Sequence, residues 1–172
     1  MSDAIRVRTL HAASEREIQE LSDVLIDCVE GGASVSFMLP IERARAAAFW
    51  RGVAADVVRG ERILLVAEKA GQIIGTVQII FAQAENQPHR ADIAKMLVHR
   101  RARRLGVGAA LLAAAENASM SAGKTLLVLD TASGDAERLY AKLGWRRCGV
   151  IPGYALLPGG GLCDTTFFYR AL

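Results

Sequence analysis

Two stretches of this sequence place residues at spacings that suit a ligand or a proton transfer. The first is Arg103-Arg104-Leu105-Gly106-Val107-Gly108-Ala109, standing between an extended run and an Ala/Leu-rich helical run. Small residues at such a junction let backbone approach a ligand closely, and the helix start presents free N–H groups at the positive end of its dipole. Together these make a cradle for a diphosphate, with a plain tight turn as the alternative. The stretch is no Walker loop, because GxxxxGK[ST] is missing, and no dinucleotide fingerprint, because the third glycine and an opening βαβ unit are missing. The second stretch is Ala136-Glu137-Arg138-Leu139-Tyr140-Ala141-Lys142-Leu143-Gly144-Trp145. It sets a tyrosine at the middle of a helix and Gly-Trp at its end. Tyr140 is either a proton donor or a core tyrosine. Two carboxylates, Asp92 and Asp130, fall on successive extended runs, where each either serves an acid–base step or is a solvated or capping side chain.

Other reactive types lack partners. His11, His89 and His99 have no Ser or Cys at triad spacing and read as surface histidines. The three cysteines, Cys28, Cys148 and Cys163, are far apart and show no CxxC or Cys/His ligand pattern. Neither a metal site nor a disulfide scaffold is expected from them, and reduced thiols of a cytoplasmic protein are. The basic cluster His99-Arg100-Arg101-Arg103-Arg104 is short and without interleaved aromatics, which suits phosphate contact and a solvated face better than nucleic acid.

The elements that must position these residues follow from periodicity. Residues 5–10 alternate as a half-buried strand. Ser14 and Glu17 form a capping box ahead of Ile18, Leu21, Val24, Leu25 and Cys28 at helical spacing, and Gly31-Gly32 stops that helix. Residues 33–39 form a loop, and Pro40 opens a second helix that Gly60 closes. Residues 63–68 and 73–81 are strands around the hairpin signal Lys69-Ala70-Gly71-Gln72, and 91–98 is a fourth strand after a polar turn. The helix behind Gly108 ends near Gly123. Residues 126–129 form a short strand buried on both faces, 135–143 a helix, and 145–151 and 163–169 two last strands. The order β-α-α-β-β-β-α-β-α-β-β describes one mixed α/β domain over residues 1–172.

Taken together, the two motifs resemble the GNAT superfamily of N-acetyltransferases. Arg103, Gly106 and Gly108 match its [QR]-x-x-G-x-[GA] loop. Ala136, Tyr140, Gly144 and Trp145 match its later A-x-x-x-Y-x-x-x-G-[FW] pattern. The resemblance implies the GNAT acyl-CoA N-acyltransferase fold: a central, mostly antiparallel sheet, splayed between its fourth and fifth strands and flanked by about four helices. It also implies acetyl-CoA as cosubstrate. Backbone of Met96, Leu97 and Val98 would bond the pantetheine arm like an added strand. Amides from Arg104 through Leu105, Gly106, Val107 and Gly108 to Ala109 would hold the diphosphate. Tyr140 would sit beside the sulfur as general acid. Ser133 stands where many members carry Asn, and its hydroxyl suits a related cofactor contact. A closer resemblance, to the branch of tabtoxin-resistance acetyltransferases that act on a small amino-acid-like toxin, rests on several stretches. These are Gly31-Gly32-Ala33-Ser34-Val35, Arg90 to Val98, Leu129-Asp130-Thr131 and Pro152-Gly153-Tyr154.

On this reading Asp92 and Asp130 flank the acetyl group, and either takes the amine's proton or holds a cationic acceptor. An Asp with its ordinary pKa of about 3.9 needs burial or a second carboxylate to serve as base. A backbone N–H near Leu97 or Val98 would face the developing oxyanion. Ser34, Phe37 and Tyr154, with the two aspartates, are the expected acceptor contacts, while Trp50 suits a pocket wall or the core equally. The loop from Gly31 to Pro40 and the turn Pro158-Gly159-Gly160-Gly161 look able to close over a small molecule. The expected activity is therefore acetylation of a small-molecule primary amine, an amino-acid-like compound, toxin or antibiotic, without a metal. Acetylation of a protein N-terminus or lysine, and a non-catalytic acyl-CoA-binding regulator, are the alternatives.

The bulk properties agree. With 52% hydrophobic and 23% charged residues in 172, the chain reads as an ordinary globular domain, and a net charge of +3 suits an anionic cofactor but not a nucleic-acid footprint. The stretch from Met1 to Arg6 lacks the apolar core of a signal peptide, and no apolar run reaches the ~20 residues of a membrane span. A monomer or homodimer without membrane or nucleic-acid partners is expected.

Overall fold

The capping box ahead of the first helix forms in full: the Ser14 hydroxyl accepts from the Glu17 N–H, and the Glu17 carboxylate accepts from the Ser14 N–H at 2.8 Å. Replacing Ser14 with Ala is expected to remove about 1 kcal/mol and lower Tm by about 2–4 °C in thermal unfolding. The computed structural model describes residues 4–172; Met1 to Asp3, part of the stretch read for a leader, lie outside the described residues. Its elements are β1 (Arg6–Thr9), α1 (Glu15–Glu30), α2 (Arg43–Val58), β2 (Arg62–Lys69), β3 (Gln72–Phe81), β4 (Arg90–Val98), α3 (Val107–Ser121), β5 (Leu126–Thr131), α4 (Gly134–Lys142), β6 (Arg146–Leu156) and β7 (Leu162–Ala171). A short 3₁₀ turn at Arg100–Ala102 precedes α3.

All seven strands join one sheet in the order β1-β2-β3-β4-β5-β7-β6. Every neighbouring pair is antiparallel except β4 and β5. The expected mixed sheet and four helices are therefore present. One face packs on α1 and α2 through Leu21, Leu25, Trp50, Leu64 and Val66; the other packs on α3 and α4 through Ile79, Leu111, Leu127, Tyr140 and Phe168. Trp50 is fully buried in the first of these cores rather than in a pocket wall. Among the described residues no helix is long and apolar enough to cross a membrane.

The hairpin between β2 and β3 carries positive φ at both Ala70 and Gly71 (51° and 75°), the turn whose twist matches the flanking strands. Two boundaries differ from the sequence reading. The second helix starts at Arg43, not Pro40. The Leu39 N–H donates to the Pro158 carbonyl at 2.9 Å, and Glu42 stays extended (φ −82°, ψ 142°), so residues before Arg43 are tied to another loop. The sixth strand runs past residue 151 to Leu156, because an irregularity between Ile151 and Ala155 absorbs Pro152, Gly153 and Tyr154 and pairing then resumes at Ala155↔Cys163. Proline has no ladder donor to lose there.

Candidate active site

The loop before α3 is held from α1. The Asp27 carboxylate accepts the Arg100 backbone N–H at 2.7 Å and its Nε at 3.0 Å. A Cβ on Gly31 would come within 3.0 Å of Arg100 Cδ, so Gly31 leaves room for that arginine. Beyond the 3₁₀ turn, Arg104 and Gly106 adopt left-handed backbone (φ 63° and 81°). Gly106 caps α3 with no side-chain hydrogen bond, whereas serines cap α1 and α4. The first main-chain bond into the helix runs from the Ala110 N–H to the Gly106 carbonyl, which leaves the N–H groups of Val107, Gly108 and Ala109 without a main-chain acceptor among the described residues. Arg103, Arg104 and Leu105 are exposed around this opening.

At Gly108 the missing side chain serves packing, whatever its N–H group holds. A Cβ there would meet Leu139 Cδ2 at 3.0 Å and Met96 at 3.8 Å, so Gly108 permits close approach of α3, α4 and β4 rather than lining open space. Gly106, by contrast, has nothing within 4 Å of its missing Cβ.

In β4 the chain changes face. Pairing with β3 steps from Thr76↔Leu97 to Gln78↔Ala94, which inserts one extra residue in β4, and Lys95 there has φ 48°. A single extra residue inverts the alternation. Ala91 and Ile93 face α3 and α4, but after the bulge Leu97 faces α1 and α2 while Met96 and Val98 pack on the α3 side. Pairing with β5 covers only Arg90↔Leu126 to Asp92↔Val128. From Lys95 to Val98 the strand edge toward β5 carries no partner strand, which is the splay. Along it, the Val98 carbonyl already accepts from Cys28 Sγ at 3.5 Å and Arg103 Nε at 3.5 Å.

On the α1/α2 side of the splay lies a cavity of about 270 Å³, at the small end for ligand pockets. Ser34, Ser36, Phe37, Met38, Asp130, Ala132, Tyr154, Ala155, Leu156 and Thr165 line it. Four of the five residues named from sequence as acceptor contacts, Ser34, Phe37, Asp130 and Tyr154, thus come together from distant segments. Asp92 is not among them; its carboxylate is bound by Arg90 Nη1 at 2.7 Å on the same strand. The two loops expected to close the site touch. Leu39 bonds Pro158 as described, the Ser34 hydroxyl donates to the Leu156 carbonyl at 3.0 Å, and Cys163 Sγ donates to Ser34 Oγ at 3.6 Å. The β6 irregularity sets Tyr154 edge-on to Phe167, ring centroids 5.5 Å apart, at the rim.

Asp130 lines the cavity and, as a whole residue, stays exposed to solvent. Packing around its carboxyl holds its pKa above the usual range; the nearby Lys95 charge opposes that and the Asp92 charge adds to it. Burial also raises the Tyr140 phenol, with a further rise from the Asp130 charge, so it stays protonated at neutral pH. Tyr140 is 4% exposed, packs on Trp145 and Phe168, and its hydroxyl takes no hydrogen bond among the described residues. The rest of that motif is packing. Gly144 (φ 84°) ends α4 beneath Arg170, and Trp145 Nε1 donates to Glu116 of α3 at 3.0 Å. The Ser133 hydroxyl caps α4 by accepting from the Ala136 N–H at 3.4 Å. Sequence reasoning missed Lys95, Ser36 and Thr165. For Lys95 a signal was present, since the apolar alternation of Ala91 and Ile93 breaks at 95 and resumes at Met96 and Val98.

Comparison with known proteins adds to this geometry. The family model for the acetyltransferase (GNAT) domain matches residues 60–147, half of the chain. An uncharacterized N-acetyltransferase in the hisH-hisA intergenic region of Azospirillum brasilense is 28% identical over 128 residues, covering 73% of this chain and 74% of its own. Among solved structures, yncA from Salmonella typhimurium with its cofactor acetyl-CoA superposes with a TM-score of 0.79 at 19% identity, covering 98% of this chain and 94% of that one. Ribosomal-protein-alanine N-acetyltransferase from Brucella melitensis gives 0.79 at 21% identity, over 97% of this chain and 99% of that one. The fold is shared with both.

Proposed function

Because the chain belongs to the GNAT family of acetyltransferases, we propose that it moves the acetyl group of acetyl-CoA directly onto the primary amine of a small molecule. The observation that carries this reading is the placement of Asp130 in a small cavity against the β4–β5 splay, on the far side of which Tyr140 stands. Acetyl-CoA, when bound, supplies an activated acetyl thioester. The residues present fit it. The uncapped start of α3, with the N–H groups of Val107, Gly108 and Ala109 free and Arg103 and Arg104 alongside, suits a diphosphate. The unpaired edge of β4 at Met96 and Leu97 suits an extended amide-bearing arm, with the N–H near Leu97 or Val98 aimed at the thioester oxygen.

Asp130 then takes a proton from the acceptor ammonium, directly or through one water, so that the free amine attacks the thioester carbon. With the thioester bound, as the new C–N bond formed and the C–S bond broke, Tyr140 would pass its proton to the departing sulfur, and the second proton lost by the nitrogen would restore the phenol while the first leaves Asp130 to solvent. Asp92 acts at a distance, through its charge on Asp130. The volume of the cavity and its closure by the loops at Ser34 to Leu39 and Leu156 to Pro158 favour a small acceptor over a peptide, and its likeness to the toxin-resistance branch points the same way. The three free thiols suit a reducing compartment.

A thiol-release assay with acetyl-CoA across amino acids, polyamines, aminoglycosides and peptides tests the reading. Turnover confined to peptides would overturn the small-molecule assignment. CoA binding has its own check. Gly106→Asp places a carboxylate in open space at the start of α3, at a cost of about 1 kcal/mol for a side chain on left-handed backbone. The variant is expected to stay folded, slightly less stable than the parent, yet bind CoA about 10-fold or more weakly in calorimetry, because its carboxylate repels phosphate beside the same N–H groups. Unchanged CoA affinity would remove the cradle assignment.

A further inference from the structure

Two opposite charges stand by this cavity, Asp130 in its lining and Lys95 bonded to a lining residue, near enough to feel each other but in no ion pair among the described residues. Among the described residues, the Asp130 carboxylate takes part in no hydrogen bond and in no ion pair, although the residue lines the cavity. Lys95, half-buried, has no carboxylate within ion-pair distance either. Its ammonium donates to the hydroxyl of Ser36, a cavity-lining residue, at 3.1 Å and lies 6.0 Å from the centre of the Phe49 ring. The nearest other cation, Arg62, is engaged by Asp56 and by Gln78, at 2.7 Å for the latter. A half-buried ammonium that touches only a hydroxyl and an aromatic ring, with the Asp130 charge at longer range, gains from an anion in direct contact.

The backbone around this pair is strained in its favour. Lys95 (φ 48°) and Ser36 (φ 76°) are both non-glycine residues in the left-handed region, and their side chains bond each other. Without the bulge, residue 95 would continue the row of Ala91 and Ile93 into the α3 core. The extra residue instead delivers a lysine to the acceptor face, at a site where the apolar alternation would call for a hydrophobe. Such conformations persist where the surrounding structure imposes them and cluster at ligand-binding sites.

We propose that the cavity selects an acceptor bearing a carboxylate as well as its primary amine, an amino-acid-like zwitterion, with Lys95 holding the carboxylate and Asp130 receiving the ammonium. The inference rests on the acetyltransferase reading above and narrows its substrate. The hydroxyls of Ser36 and Thr165 complete the polar lining, and Phe37 and Tyr154 enclose the side chain between the charged ends. Lys95 is thus a binding and specificity residue, with no part in moving protons.

The test pairs free amino acids, α and γ, with their own carboxamides as acceptors in the thiol-release assay, for the parent, Lys95→Met and Lys95→Gln. The parent is expected to prefer acids over the matching amides by about 10-fold or more in kcat/KM, the scale of a charged hydrogen bond. On the plateau of the pH–rate profile, both variants should raise KM for the acids by a similar factor, change kcat little, and leave the amides and CoA affinity as they were. Equal use of acids and amides by the parent overturns the proposal, as does a loss in the variants that is the same for both acceptor types. Turnover of polyamines or peptides alone overturns the substrate class while keeping the acetyltransferase. Absence of thiol release with every acceptor, CoA binding being intact, overturns the activity itself and this inference with it.

Discussion

Tyr140→Phe is expected to fold like the parent, bind CoA like the parent and lose about 10²–10⁴-fold in kcat, the usual scale for acid–base catalysis. The ring is what the fold uses: it packs on Trp145 and Phe168 with centroids 6.0 and 5.6 Å away, and both contacts survive the substitution. The hydroxyl is what the chemistry uses. It has no protein acceptor, so its removal leaves no buried polar partner orphaned, and thermal stability should change little. Burial and the Asp130 charge disfavour the tyrosinate, so Tyr140 holds its proton at neutral pH and gives it to sulfur only as the nitrogen's proton replaces it. The deficit should accordingly shrink with acyl donors whose thiol is more acidic, since such a thiolate leaves without help. Stopped-flow or single-turnover measurement, in which chemistry is isolated from product release, is the proper readout. Parent-like chemistry in that experiment would reduce Tyr140 to a core residue, the alternative its place on a helix always allowed.

The fold was legible because it is written in local signals. The Ser14–Glu17 box, the Ala70-Gly71 hairpin and the fully apolar run at 126–129 each dictate their element with little help from the rest of the chain. Boundaries failed where distant segments decide: the start of α2 is set by a hydrogen bond from Leu39 to Pro158, more than a hundred residues away. The site divides the same way. Ser34, Asp130 and Tyr154 stand in the stretches that carry the toxin-resistance resemblance, Phe37 is named for its ring, and the structure gathers all four at one cavity. Motif membership did not separate chemistry from packing. Gly108, Gly144 and Trp145 serve close approach, a helix end and a bond to α3, while Gly106 keeps space open. Lys95 escaped notice because a lysine among apolar strand residues reads as an edge or a turn. The break in alternation at 95 hints at the change, and the register of β4 against β3 shows that the strand gains a residue there and changes face.

Asp130→Asn is expected to cost about 10²–10⁴-fold in kcat/KM on a confirmed amine with CoA affinity preserved. The acid limb of the pH–rate profile identifies the base more sharply than the size of the loss. In the free enzyme that limb reports the base's pKa, and the Asp130 carboxyl is held above the ordinary ~3.9 of aspartate by its packing. The limb in kcat/KM should therefore lie above that value in the parent and vanish in Asp130→Asn. Its neighbours move it in opposite senses. Lys95 stabilises the carboxylate, so Lys95→Met should shift the limb to higher pH; Asp92 destabilises it, so Asp92→Asn should shift the limb to lower pH. Asp92 is held by Arg90 and stands outside the cavity lining, so its replacement should alter the limb while leaving the plateau rate within a few-fold. The reverse pattern, a collapsed plateau in Asp92→Asn and an unmoved limb in Asp130→Asn, would transfer the base to Asp92. Parent-like profiles in both would leave the acceptor's own free amine as the attacking species, with the carboxylates serving only to attract it.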